Sequence, residues 1–591
     1  MSRVAERLRR LPCPLLQDDA MNVSILLRAG LPVALALACA GCETPATSNA
    51  AAPAVSPPAV SPPEMALIGA NLLEGLGDYH FPVTSTNPEV QRWFDQGLML
   101  TFGFNHDAAE RSFLKAAELD PECAMCWWGA ALVLGPHVNS AMDPNDNADA
   151  WNRLQRARAL APKASAREQA FIQALSARYA EHPPEDRRAL DEAYAAATRA
   201  LVRARPDDID AAVLHAEALM DLQPWNYYDA QQRPKGNTVE IVSVLESVID
   251  RNPDHAGALH LYVHAVEASA DPQRGVAAAD RLRELIPGSG HLVHMPAHIY
   301  ARVGRWHDAV IANQRAIEAD DAYLALCRGN AQGVYPLGYV PHNHHFLWFA
   351  ASMEGDGAVA REAARQTAER TNLPELMRKP GFAGLQHYWM TPWFERVRFG
   401  RWDEIAATPN PAADLPYVTA IWHYAQGMAA VRQERLDDAE RHLVALRALA
   451  ADPVMETLMV WDRYPLAHAV RIAERSVTAE LAASRDDHDA AIAALREAVA
   501  IEDKIPYDEP PGWHAPVRQS LGAVLLEAGR HAEAEQVYRD ELARNPENGW
   551  SLYGLAQSQK AQGKHGPAKQ AERRFAQAWR HADVELKASR M

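Results

Sequence analysis

Apolar and small residues recur along this chain with a period near 34 residues, from about residue 88 to the C-terminus. The clearest unit is LGAVLLEAGRHAEAEQVYRDELARNP, 521–546, where Leu521 and Gly522 are followed at regular spacings by Gly529, Ala534, Tyr538 and Pro546. The next unit keeps the frame with Leu555, Ala556, Gly563 and Ala568, and near the other end Trp93, Gly97, Ala109, Phe113, Ala116 and Pro121 repeat it. A unit of this length, apolar in two stretches and closed by a proline, predicts a pair of packed helices. Further pairs fit near 123–160, 165–204, 209–251, 256–286, 290–319, 341–371, 384–407, 416–451 and 467–501. Insertions break the rhythm at 135–147, 223–236 and 328–341; in stacked repeats such segments fall on one rim and shape binding sites.

These residues resemble the tetratricopeptide repeat. In that family small residues let paired helices approach, large ones fill the space between, and the proline ends the second helix. The resemblance covers most of the chain and implies an all-α solenoid, a right-handed superhelix of roughly ten helix pairs over residues 65–591. The chain is also similar to a group of secreted bacterial repeat proteins, a likeness that implies no activity. The fold by itself hosts many roles.

Ahead of the repeats, the segment from Met21 reads as a short basic stretch with Arg28, an apolar run, and small residues before Cys39-Ala40-Gly41-Cys42. It resembles a lipoprotein signal peptide, with residues 1–42 removed or modified on export, Cys42 the lipidated residue and Met21 an alternative start. Ordinary secretory cleavage nearby is the competing reading. Residues 43–64, rich in Ala, Pro and Ser, read as a semi-extended tether. The expectation is therefore an exported protein on the periplasmic side of a bacterial membrane, held only by its lipid.

With 48% apolar and 23% charged residues the chain can bury a large core, and a net charge of −17 argues against nucleic acid as a partner. In an oxidising compartment Cys123 and Cys126 can pair, and a structural staple is favoured over thioredoxin-like chemistry because the βαβ context is missing. Cys327 is left over.

Histidine changes the picture most. Ten of the 24 histidines lie between 255 and 345, where even spreading would put about four. In the family resembled, the second, fifth, ninth and twelfth residues of each first helix face the concave groove. His260, His264 and Glu267 then take the fifth, ninth and twelfth places of one repeat. His291, His294 and His298 take the second, fifth and ninth of the next, and His342 and His345 the second and fifth of a third. Glu217 takes the ninth place one repeat earlier. Consecutive first helices stack side by side, so these sets should converge. Imidazoles with one or two carboxylates form a ligand set for Cu, Zn or Fe rather than Mg or Ca, and a site for one or two ions is expected. Pro296 inside the helix that carries His294 and His298 breaks a local rule, as functional sites often do.

His215, His255, His307, His344 and His423 fall outside this groove face, and His106 and His137 suit helix capping. The aromatic runs at Trp225–Tyr228, Trp389–Trp393 and Trp513-His514 either pack between helices or contact a ligand. No Gly-rich phosphate loop, nucleophile elbow or isolated catalytic carboxylate pair is present in the sequence. Redox or metal-activated water chemistry is one expectation for the groove; a peptide- or protein-binding scaffold without catalysis is the alternative, and metal storage a third.

Overall fold

The computed structural model describes residues 71–327 and 333–591. The expected signal peptide, lipidated Cys42 and tether lie outside the described residues. From Pro88 to Ala578 the chain is a succession of antiparallel helix pairs, beginning with Pro88–Phe102 on His106–Leu119 and ending with Gly549–Ala561 on His565–Ala578. Each pair packs on the next in chain order, so the protein is an α-solenoid of tetratricopeptide type. Among the described residues the strands are one hairpin of two residues each, Met459–Val460 with Tyr464–Pro465. Among the described residues no helix is long and apolar enough to cross a membrane.

The small and large positions of the repeat do the packing expected of them. A Cβ built on Gly97 would stand 2.7 Å from the Phe113 ring, and one on Gly129 only 2.5 Å from the same ring. Phe113 is thus a fully buried wedge between two first helices that lack side chains where it lies. Tyr538 repeats the arrangement between Gly522 and Gly554, at 2.4 and 2.1 Å. In several pairs the turn places one residue in the left-handed region, and Gly304, Gly355, Gly400, Gly529 and Gly563 occupy it at five of them, where glycine alone bears no steric cost. Cys123 caps the helix Ala124–Leu132, accepting from the Cys126 amide, and is disulfide-bonded to Cys126; Cys327 is buried elsewhere.

The superhelix curls until distant repeats touch. The Trp306 indole donates to the Pro546 carbonyl at 2.8 Å and the Trp550 indole to the Ser352 carbonyl at 2.8 Å, each across about 200 residues or more. On the other side the first helix, Pro88–Phe102, packs on Ala256–Val266. The groove is therefore enclosed from both ends of the chain around repeats 256–354.

Deleting the wedge tests this packing. Phe113→Ala leaves a cavity between two glycine-faced helices that cannot collapse far, and is expected to cost about 3–5 kcal/mol, read as a lowered midpoint in urea denaturation. Phe113→Leu is expected to cost less than half as much.

Candidate metal centre

Three neighbouring first-helix segments supply the site. Ala256–Val266 carries His260 and His264 one turn apart on one face. The next segment is split at Met295: Gly290–His294 carries His291 and His294, and Pro296–Arg302 carries His298. Pro296 has no N–H to offer the Leu292 carbonyl, which divides what would be one helix. Val340–Glu354 carries His342.

These six imidazoles form two abutting triads. In the first, ligand atoms of His260, His264 and His291 lie within 4.8 Å of one another; in the second, those of His294, His298 and His342 do. The His260 and His291 Nε2 atoms are 3.1 Å apart, His294 and His298 Nε2 2.7 Å, and His342 and His294 Nε2 3.0 Å. Such spacings approach the roughly 3.3 Å between nitrogens on one tetrahedral ion with bonds of about 2.0 Å. The triads meet where His291 stands 6.1 Å from His294 and His264 6.0 Å from His298, centroid to centroid.

In five of the six rings, all but His291, the Nε2 atom is turned inward by anchoring of the opposite nitrogen. His260 Nδ1 donates to the Phe102 carbonyl at 2.6 Å, a partner 158 residues away. His294 Nδ1 donates to Asn313 Oδ1 at 2.6 Å, and the Asn313 amide is oriented by its own donation to the Ala309 carbonyl. Glu267 serves both triads: Oε1 receives His264 Nδ1 at 3.2 Å and Oε2 receives His298 Nδ1 at 2.6 Å. Glu509 closes on the same His298 Nδ1. His342 Nδ1 meets the Tyr388 hydroxyl at 3.3 Å. Ring anchoring of this kind fixes the tautomer and orientation of metal-bound histidines. The group Glu267, His298 and Glu509 also has ligand-like proximity, but its His298 atom is Nδ1, so it backs the second triad.

One phenylalanine packs on each triad. Phe346 lies 5.2, 5.1 and 6.0 Å from His294, His298 and His342. Phe104 lies 4.5, 5.9 and 5.5 Å from His260, His264 and His291. Phe104 stands at a left-handed turn position, φ 55°, where several other repeats have glycine and two have Glu434 and Asp486. A bulky residue there is strained, and the strain places the ring over the histidines. His106 and His137 join the outer face of Phe104, and His106 Nδ1 reaches the Val133 carbonyl at 2.8 Å.

Burial decides the charge states. It holds His260, His291 and His294 well below the usual imidazole range, and His342 down to about 3. These rings are neutral and ready to bind a cation. His298 is the exception: burial disfavours its charge, yet Glu509 and Glu267 outweigh burial and push it up to about 10. Burial likewise opposes ionisation of Glu267, but His298 and His264 outweigh it and take the carboxyl down to about 2. Burial raises Glu509 to about 7.

Two of the expected groove residues lie elsewhere. His345 stacks 5.1 Å from Trp348 and 4.2 Å from Tyr388, away from both triads. Four residues beyond His342, Phe346 occupies the place toward the site, because i and i+4 share a helix face more closely than i and i+3 here. Glu217 is buried beside Arg178 and Asp221, and Glu267 backs the rings rather than pointing between them. His215 is a buried residue bonded to Thr198, His255 caps a helix and His344 is buried in the packing.

A recess opens beside the triads. It is lined by Trp225, Tyr339, Tyr388 and Trp461, with His264, His291, His298 and His342 at its base. Trp225 comes from the 223–236 insertion; Trp461 and Glu509 come from the far repeats and carry no periodic signal.

No family model matches the chain, and none of the curated proteins matches it. Among solved structures, an APC/C hetero-tetramer of Cut9 and Hcn1 is similar at 15% identity, covering 83% of this chain and 76% of that one, with a TM-score of 0.29. Human IFIT1, a dimer with PPP-AAAA, is similar at 11% identity, covering 84% and 91%, with a TM-score of 0.28. Naa15/Naa10 bound to HypK-THB is similar at 13% identity, covering 83% and 70%, with a TM-score of 0.22. These are tetratricopeptide-repeat proteins; at such scores nothing about binding or activity passes between them and this chain.

Removing an anchor should loosen the metal without removing a ligand. Glu267→Gln or Asn313→Ala is expected to lower affinity about 10–100-fold in competition with a chromophoric chelator. His345→Ala is expected to leave it unchanged.

Proposed function

We propose that this protein is a metalloprotein with a dinuclear copper centre in the groove of a helical-repeat solenoid, and that it carries out two-electron redox chemistry there. The observation that carries the reading is the pair of three-imidazole sets, whose ring nitrogens converge and five of whose six rings are held at Nδ1 by a partner on the opposite side. No such convergence is needed to stabilise a solenoid, because stacking already does that.

Charge favours copper over zinc or iron. Neither triad contains a carboxylate. Two monocations about 4 Å apart repel by about 4 kcal/mol at an effective dielectric near 20, and two dications by about four times as much. Copper can occupy neutral imidazole sites as a monocation, and the ionised Glu267 at the back offsets one charge. Zinc enters as a dication and iron as a dication or higher, so a pair of either carries the larger repulsion with no carboxylate in the triads to offset it. A copper pair that cycles between its two common oxidation states exchanges two electrons with a bound substrate, and the oxidised pair would need an anion between the triads to offset the added repulsion.

The scaffold alternative fits less well. The C-terminal segment that carries Asp508 and Glu509 lies across the groove at the histidines, where an extended peptide would need to pass. Export and attachment through a lipid on Cys42 belong to this proposal, since an oxidising compartment suits both a redox copper site and the Cys123–Cys126 bond.

Elemental mass spectrometry after anaerobic loading with Cu(I) tests the reading. Two copper ions per chain are expected in the wild type, one in His260→Ala/His264→Ala and one in His294→Ala/His298→Ala. Retention of no copper, or preferential uptake of zinc when both are offered, contradicts it.

A further inference from the structure

The recess beside the triads has walls of a particular kind. Trp225 stands edge-on to His264 at 5.3 Å and 79°, Tyr339 lies 4.5 Å from His291, and Tyr388 and Trp461 meet edge-to-face at 5.6 Å and 87°. These four rings come from four separate segments, so their meeting is a product of the fold. Trp461 is delivered by a hairpin tip in which Trp461 and Asp462 both adopt left-handed conformations, φ 49° and 58°. Tight hairpin turns of this type favour Asn-Gly, and a tryptophan there is strained.

The hairpin is fastened to the segment that carries Glu509. Tyr464 Oη donates to Asp508 Oδ2 at 2.6 Å, and Arg463 Nη1 donates to Asp508 Oδ1 at 2.6 Å. The Arg463 guanidinium also lies over the Trp225 ring at 4.7 Å. Among the described residues lining the recess, the one guanidinium is therefore committed to a carboxylate and an aromatic face. An incoming ligand meets the aromatic surfaces of Trp225, Tyr339, Tyr388 and Trp461 beside the histidines of both triads.

We propose that the recess binds a small phenolic molecule, its ring held by Trp225, Tyr339 and Trp461 and its hydroxyl directed at the two triads. A flat ring is matched by aromatic walls through edge and face contacts that a saturated ring of equal size cannot make. A carboxylate on the ligand gains no free cation, since Arg463 is tied to Asp508 and His298 to Glu267 and Glu509, whereas a single hydroxyl oxygen suits a metal pair beside it. Only the partner of that hydroxyl rests on the copper reading; the ring's place rests on the walls alone.

Calorimetric titration of the full chain with phenol, first metal-free and then copper-loaded, separates the two. Cyclohexanol and benzoate are the comparators. Phenol is expected to bind the metal-free protein about tenfold more tightly than cyclohexanol, and more tightly again after copper loading, with benzoate weaker than phenol in the metal-free protein. Trp461→Ala and Trp225→Ala are each expected to weaken phenol about tenfold while copper content stays that of the wild type, which also shows that the variants fold. Equal binding of phenol and cyclohexanol, or unchanged phenol binding in both variants, overturns the inference. A chain that takes up no copper but still selects phenol contradicts the dinuclear reading and upholds the recess.

Discussion

The site depends on the hydrogen bonds made by the backs of its rings. A buried imidazole with a free Nδ1 has two tautomers and can rotate; one whose Nδ1–H is held has a single Nε2 lone pair pointing one way. Glu267 does this for one histidine of each triad, with one oxygen for His264 and the other for His298. That carboxylate thereby sets how the two triads face each other. Its position at the end of the helix Ala256–Val266 places it beside the split between Gly290–His294 and Pro296–Arg302, where the proline break lets His298 come to it.

Holding six histidines this close together, five of them buried, has a large electrostatic consequence. Burial makes the free rings neutral, and neutral rings tolerate one another as positive ones would not. The same burial leaves inward lone pairs without solvent, a cost that a bound cation removes. His298, held as a cation between Glu267 and Glu509, must lose its second proton when a metal takes Nε2. In the proposed centre, metal uptake would therefore be coupled to release of a proton, and the backing carboxylates would then face a neutral ring that still donates from Nδ1.

The fold was legible because its determinants are local and periodic: Gly97 with Phe113 and Gly522 with Tyr538 recur at fixed spacing and make the same wedge. The groove positions were legible for His260, His264, His291, His294, His298 and His342, since a repeat frame converts sequence spacing into a helix face. His345 shows the limit of that frame. The π-turn at Tyr335–Tyr339 precedes its helix, and the rotation that brings His342 and Phe346 to the site carries His345 past it. Glu509, Trp461 and the Phe102 carbonyl were not legible, because they reach the site through the curl of the superhelix, which sums small angles over many repeats. Phe104 left a fainter trace: a phenylalanine at a turn position that several other repeats fill with glycine.

Diffraction from crystals of the copper-loaded chain, collected on both sides of the copper absorption edge, tests the central claim most directly. The account predicts two anomalous peaks a few ångströms apart, one bonded at about 2.0 Å to His260, His264 and His291, the other to His294, His298 and His342. A single peak shared by both triads, or one seated between Glu267 and Glu509, would contradict it.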